Sequence, residues 1–190
     1  LGVKYTENDC PPSTYEIACV IIESLNSSVQ KYGIDYPTLF IEPGRSIIST
    51  AGVTLYTIGS SKQVPNGKKY FAVDGGMADN ARPRMYKAEY TASVANKPDA
   101  ETSQSVTIAG RFCESGDILI HNIELPELEE GDILCVYNTG AYNYSMASNY
   151  NRVQKPAMVL VNNSQSDIII ERETLDDLIS HDRIPDRLKK

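Results

Sequence analysis

The chain has 190 residues, 41% of them hydrophobic and 23% charged, enough to bury a core in one large domain or parts of two. A formal net charge of -7, unbroken by any cluster of Lys or Arg, argues against a nucleic-acid surface. No apolar run approaches the roughly 18 residues of a membrane span, and Cys10, Cys19, Cys113 and Cys135 are too scattered for a disulfide scaffold and form no C-x-x-C pair that would suggest zinc. The expectation is a cytoplasmic protein in a reducing setting, with no metal, no membrane and no nucleic acid among its partners.

In chain order, Ser13-Thr14-Tyr15-Glu16 has the S-x-x-E form of a capping box, and Ile17, Val20, Ile21, Leu25 and Val29 recur at helical spacing. This predicts a helix to about Lys31, stopped by Gly33. The apolar run Thr38-Leu39-Phe40-Ile41 then reads as a buried strand ending in Glu42-Pro43-Gly44-Arg45. A helix feeding a strand with charged residues at its C-terminal end is how a (β/α) barrel presents its active-site face.

From about Gly52 the texture becomes short β-branched and aromatic runs: Val53 to Ile58, Lys69 to Val73, Ser105 to Ile108, Ile133 to Tyr137, Ala157 to Val161 and Ile168 to Ile170. Turn residues divide them at Asn66-Gly67, Asp74-Gly75-Gly76, Glu130-Gly131-Asp132 and Asn162-Asn163. A short helix over Thr174 to Ser180 closes the chain. Residues 1–50 thus read as the end of a barrel, and residues 51–190, with their closing helix at about 173–180, as a separate β domain.

Four stretches carry residues suited to chemistry. Glu42-Pro43-Gly44-Arg45 sets an acid and a base three apart, which is a capped turn with a surface ion pair or a site in which Arg grips an anion and Glu a protonated ring nitrogen. Asp74-Gly75-Gly76-Met77-Ala78-Asp79-Asn80-Ala81-Arg82-Pro83, followed by Tyr86, is an ordinary β-domain loop or a second anion grip. Phe112-Cys113-Glu114-Ser115-Gly116-Asp117 holds a thiol beside an acid; a lone Cys is commonly a small buried hydrophobe, and neither His121 nor His181 has the spacing to activate it as a nucleophile. A proton-donor role asks less, because a thiol of ordinary pKa, about 8.5, is protonated at neutral pH. Gly140 to Asn151 combines small residues with three tyrosines and offers hydroxyls to a phosphate or packing at the edge of a core.

The order of these motifs, EPGR, then DGGM-x-D-x-x-RP-x-x-Y, then CESGD, then GAY-x-x-SMASNYN, resembles the diaminopimelate decarboxylases, a family of fold type III (alanine-racemase-like) pyridoxal-phosphate enzymes, from Leu1 to about Asp177. CESGD and SMASNYN are the more specific parts, since ornithine and arginine decarboxylases of this fold resemble the pattern less closely around the cysteine.

The resemblance implies an α+β chain made of the last βα unit of a (β/α)8 barrel followed by a C-terminal β-barrel or Greek-key-like domain. It implies pyridoxal 5'-phosphate as cofactor, with Glu42 at the pyridine nitrogen and Gly44, Arg45 and Tyr142 on the cofactor side. Arg45, Arg82, Tyr86, Glu114 and Tyr142 then match substrate-binding positions. Cys113 matches the proton donor that completes decarboxylation of meso-2,6-diaminopimelate to L-lysine, and Cys113 with Glu114 matches a pair inserted into a partner subunit's site, so a homodimer is expected.

Two family features have no counterpart here: the glycine-rich phosphate loop before Leu1-Gly2, and the early-strand lysine that holds the cofactor covalently. Lys4 reads as a surface lysine. The chain is therefore expected to be the C-terminal portion of a longer enzyme and inactive alone, cytoplasmic in bacteria or plastidial in plants and algae. A related decarboxylase acting on ornithine or arginine, or a non-catalytic dimerising or regulatory module, are the alternatives.

Overall fold

The computed structural model describes residues 1–65 and 67–189. It opens on helix α1 (Thr14–Tyr32), where Ser13 accepts from the Glu16 N–H at 3.2 Å while Glu16 accepts from the Ser13 N–H at 2.7 Å. Gly33, at φ 60°, ends the helix in the left-handed region and donates to the Val29 carbonyl. The expected capping box and stop are both formed. No residue of α1 is buried, however: Ile17, Ile21, Leu25 and Val29 of its apolar stripe are half-buried and Val20 is exposed.

The strand expected over Thr38 to Ile41 does not form. A strand is made by hydrogen bonds to a neighbour, and none of the described segments runs beside this one; Phe40 is 85% exposed. Helix α2 (Gly44–Ile48) follows at once and tightens into a 3-10 turn over Ser49–Ala51.

The rest is β structure built on strands β1 (Thr54–Gln63), β2 (Lys69–Val73), β3 (Ala92–Val94), β4 (Gln104–Ala109), β5 (Ile118–Leu125) and β6 (Ile133–Val136). These form one sheet in the order β3-β6-β1-β2-β4-β5, and its two edge strands approach each other to leave a nearly closed barrel. All pairings are antiparallel except β2 with β4. Strand β1 is the corner: Thr54 to Thr57 pair with β6, the register shifts after Ile58, and Ser61 to Gln63 pair with β2.

Inside lie Tyr56, Ile58, Phe71, Val106, Ile108 and Leu134 with their neighbours. Each such side chain contributes about 1.5 to 3 kcal/mol by leaving water. Strands β7 (Met158–Asn162) and β8 (Gln165–Ile170) form a separate hairpin whose two turn residues, Asn163 and Ser164, both have positive φ, as a type I′ turn requires. The expected Asn66-Gly67 turn falls partly on Asn66, which lies outside the described residues. Helix α3 (Arg82–Tyr86) links β2 to β3, α4 (Asn143–Met146) follows β6, and α5 (Leu175–Ile179), capped by Thr174, comes last.

Two contacts fix the loops that matter for the site. The first fastens α2 to the loop after β6: Gly140 donates to the Ser49 carbonyl at 3.0 Å, and Thr139 to the Gly52 carbonyl at 2.9 Å. The backbones lie so close that a Cβ on Gly140 would stand 2.0 Å from the Ile48 carbonyl oxygen. The second is the buried Asp117 carboxylate, which accepts from the Met77 N–H at 2.7 Å and the Phe112 N–H at 2.9 Å. It thereby ties the loop before α3 to the turn carrying Cys113, and Gly110 lies against it so tightly that a Cβ would come within 2.1 Å of its oxygen. Burial pushes the Asp117 carboxyl above the usual aspartate range, against the Phe112 and Met77 N–H groups, which favour its charge.

Gly140→Ala should cost about 3 kcal/mol by forcing the two backbones apart. Asp117→Ala should cost about 2 kcal/mol by orphaning the partly buried Met77 and Phe112 N–H groups. Urea unfolding of the whole protein measures both, and losses below about 0.5 kcal/mol would show that these contacts are not what holds the loops.

Candidate active site

The four motifs are far apart in sequence, and the fold brings parts of three of them to one cleft. It has a volume of about 660 Å3, and its lining includes Arg45, Arg82, Tyr86 and Tyr142 together with Tyr5 and Glu89. Arg45 arrives on α2. Arg82 and Tyr86 stand one turn apart on α3, so both side chains lie on the same face of that short helix. Tyr142 precedes α4 at φ 69°, a left-handed conformation that a tyrosine adopts only where its surroundings impose it. Here the imposition comes from Gly140, pressed onto α2, and from Ala141, which is buried.

Arg82 is the anchor of the cleft. Its side chain is buried, and Nη1 donates to Tyr5 Oη at 2.6 Å and to Tyr90 Oη at 3.2 Å. The guanidinium carbon lies 5.2 Å from the Tyr5 ring centre and 5.6 Å from that of Tyr142, within reach of cation–π attraction. Burial works against the cation, but Tyr90 and Tyr5 outweigh it and hold the Arg82 pKa above its usual value. None of these partners carries a carboxylate, so a buried positive charge faces the cleft without a counter-ion from its own hydrogen bonds. The arrangement suits an anionic group.

Arg45 is half-buried, and its Nη2 donates weakly to the Leu1 carbonyl at 3.4 Å, leaving the guanidinium directed at the same space. Glu42 and Gly44 are exposed and are not part of the cleft lining. Cys113 and Glu114 are not part of it either: Cys113 is exposed, and the turn is closed by the Glu114 N–H donating to the Phe112 carbonyl and the Asp117 N–H to the Glu114 carbonyl. Next to this turn Phe112 packs edge-on against Tyr150, with ring centres 5.6 Å apart, and Ser148 of the SMASNYN stretch donates to the Ala78 carbonyl of the DGGM loop at 2.8 Å. The motifs thus form two groups, one in the cleft and one around the Cys113 turn.

Sequence reasoning missed Tyr5, Asp9 and Glu89 in the cleft. Tyr5 had one usable signal: Asp9 follows Thr6 by three, and its carboxylate accepts from the Tyr5 and Thr6 N–H groups at 3.0 and 2.7 Å, a compact local turn that fixes the tyrosine's backbone. Those bonds hold the Asp9 carboxyl below its usual range. Among the described residues no group of three or more His, Cys, Asp or Glu could hold a metal ion, and no helix is long and apolar enough to cross a membrane.

Comparison with known proteins agrees with the geometry. Diaminopimelate decarboxylase of Bacillus subtilis is 50% identical over 181 residues, which are 95% of this chain and 41% of that protein. The diaminopimelate decarboxylase of Synechocystis is 50% identical over 188 residues, 99% of this chain and 40% of that one. The crystal structure of diaminopimelate decarboxylase from M. jannaschii in co-complex with L-lysine superposes with a TM-score of 0.89 at 36% identity, covering 100% of this chain and 42% of that one. The chain spans about two fifths of the length of the curated relatives it matches. The model of the pyridoxal-dependent decarboxylase C-terminal sheet domain matches residues 18–140. With that match covering more than half of its length, the chain belongs to the pyridoxal-dependent decarboxylases, as their C-terminal sheet domain.

Proposed function

We propose that this chain supplies the C-terminal domain of a diaminopimelate decarboxylase, which releases CO2 from meso-2,6-diaminopimelate to give L-lysine. The observation that carries the reading is the cleft in which Arg82, buried and without an acidic hydrogen-bond partner, meets Arg45, Tyr86 and Tyr142. Meso-diaminopimelate has a second amino-acid centre at its far end, and that centre's carboxylate is the anion Arg82 is placed to take. A ligand lacking this carboxylate leaves the guanidinium unpaired, at a cost of about 1 to 3 kcal/mol.

The residues also suit pyridoxal 5'-phosphate: Arg45 and the Tyr142 hydroxyl, converging on one cleft, would hold its phosphate, with Gly44 beside them and Glu42 at the ring nitrogen. When bound, the cofactor supplies the electron sink for breaking the carbon–carboxylate bond. CO2 leaves without that bond's electron pair, which is used in turn to bind a proton at the α-carbon. Cys113 gives the carbon its proton, and the thiolate regains one from solvent. Glu114, adjacent, is the acid for the substrate's far ammonium group.

Because the Cys113 turn lies outside the cleft lining of its own chain, we assign it to the site of a second subunit, which makes the enzyme a homodimer with shared sites. Residues 1–50 belong on this reading to the end of the (β/α)8 barrel, and residues 51–190 to the β-barrel domain. The exposed Ile34, Leu39, Phe40 and Ile41 support that division, since a barrel would cover them.

The whole enzyme should decarboxylate meso-diaminopimelate and leave ornithine and arginine untouched; CO2 release from ornithine or arginine alone would assign it to the related decarboxylases instead. Cys113→Ala should lower turnover by about 100-fold or more, and near-normal turnover in that variant would remove the thiol from the reaction.

A further inference from the structure

Arg82 is not held by acids, and what holds it is a line of hydroxyl groups that no motif revealed. Its Nη1 reaches Tyr5 Oη at 2.6 Å; Tyr5 Oη lies 3.1 Å from Ser49 Oγ; Ser49 Oγ lies 3.1 Å from the Asn138 carbonyl oxygen. The directions follow from chemistry. A guanidinium only donates and a carbonyl only accepts, so a consistent line runs from the Arg82 N–H to Tyr5, from the Tyr5 O–H to Ser49, and from the Ser49 O–H to the carbonyl. Such a chain polarises each bond in turn and uses both hydroxyl protons. Ser49 is fully buried at the inner end of the line, and Tyr5 is half-buried at the cleft wall.

The ends of this line carry the cleft. Ser49 directly follows α2, which bears Arg45. Asn138 lies on the loop that delivers Tyr142, and its Nδ2 donates back to the Lys4 carbonyl at 3.0 Å. Tyr5 itself is pinned from three further sides: its carbonyl accepts from Thr91 Oγ1 at 3.3 Å, its N–H is taken by Asp9, and its ring meets Tyr90 edge-on at 5.4 Å.

We infer that Tyr5 is a positioning residue for the anion grip, its hydroxyl setting Arg82 in register with Arg45 and Tyr142 through Ser49. The inference rests on the proposed function in naming the ligand's carboxylate, and it deepens that reading by identifying what orients the residue that binds it. Tyr5 touches neither cofactor nor reacting atoms on this account, so its loss acts on carboxylate binding and not on the chemical step.

The test uses the whole enzyme loaded with pyridoxal phosphate and compares Tyr5→Phe, which keeps the ring and removes only the hydroxyl, with Ser49→Ala and with Tyr15→Phe, an exposed tyrosine on α1, as control. Calorimetry with L-lysine should give a dissociation constant about ten-fold higher for Tyr5→Phe, a smaller rise for Ser49→Ala and no change for Tyr15→Phe. The KM for meso-diaminopimelate should rise in step while kcat and the affinity for pyridoxal phosphate stay within about two-fold. Unchanged lysine binding in Tyr5→Phe, or a fall in kcat with KM unmoved, overturns the inference while leaving the proposed function standing. Failure of the unaltered enzyme to bind L-lysine overturns both.

Discussion

The close backbone contact between the Ile48-to-Gly52 turn and Gly140 is the constraint on which the cleft depends. Residues 34 to 48 bury almost nothing on the sheet, and Ile34, Leu39, Phe40, Ile41, Ile47 and Ile48 are all exposed. Without that contact α2 would have little reason to stop where it does, and Arg45 would not share a space with Tyr142. Two backbone hydrogen bonds and a buried Ser49 hydroxyl are modest individually, about 1 kcal/mol each net. Their effect is large because they act on one short segment and leave it a single seat. The same seat obliges Tyr142 to adopt a left-handed backbone, which points the strain at the site.

Electrostatically the cleft is arranged for a guest. A buried guanidinium costs too much unless it is hydrogen-bonded, and Arg82 is satisfied by neutral phenols. Phenols orient the cation without neutralising it, so its charge remains available to a carboxylate. An acid in their place would have cancelled it. Around the Cys113 turn the logic is reversed: there a buried carboxylate, Asp117, gathers backbone N–H groups from the DGGM loop and the CESGD turn, so that a negative charge organises the loop that carries the thiol.

Much of the local structure was legible because it is written in near neighbours. The capping box of Ser13 with Glu16 depends on residues three apart, and the stop at Gly33 on one residue. Strands such as Lys69–Val73 announce themselves by composition. Strand β5 was missed since Asn122, at φ 51°, interrupts its alternation, and α3 since five residues starting Arg82-Pro83 are too short for a helical period. The strand expected at Thr38 to Ile41 failed for the opposite reason: its pattern is sound but its partners are not among the described residues. At the site, Arg45, Arg82, Tyr86 and Tyr142 could be picked out by motif order. Tyr5 and Ser49 could not, because a hydroxyl gains its meaning only from a partner 44 residues away and, for Ser49, from a carbonyl 89 residues away.

A crystal structure of the whole protein with pyridoxal phosphate and L-lysine would show directly which cation takes the carboxylate. The lysine carboxylate should lie within hydrogen-bonding distance of the Arg82 guanidinium, in the cleft bordered by Arg45 and Tyr142, with Arg82 still held by Tyr5. Lysine bound away from this cleft, or in it with its carboxylate on another cation and Arg82 turned aside, would contradict the claim that this buried, phenol-held arginine is the anion grip.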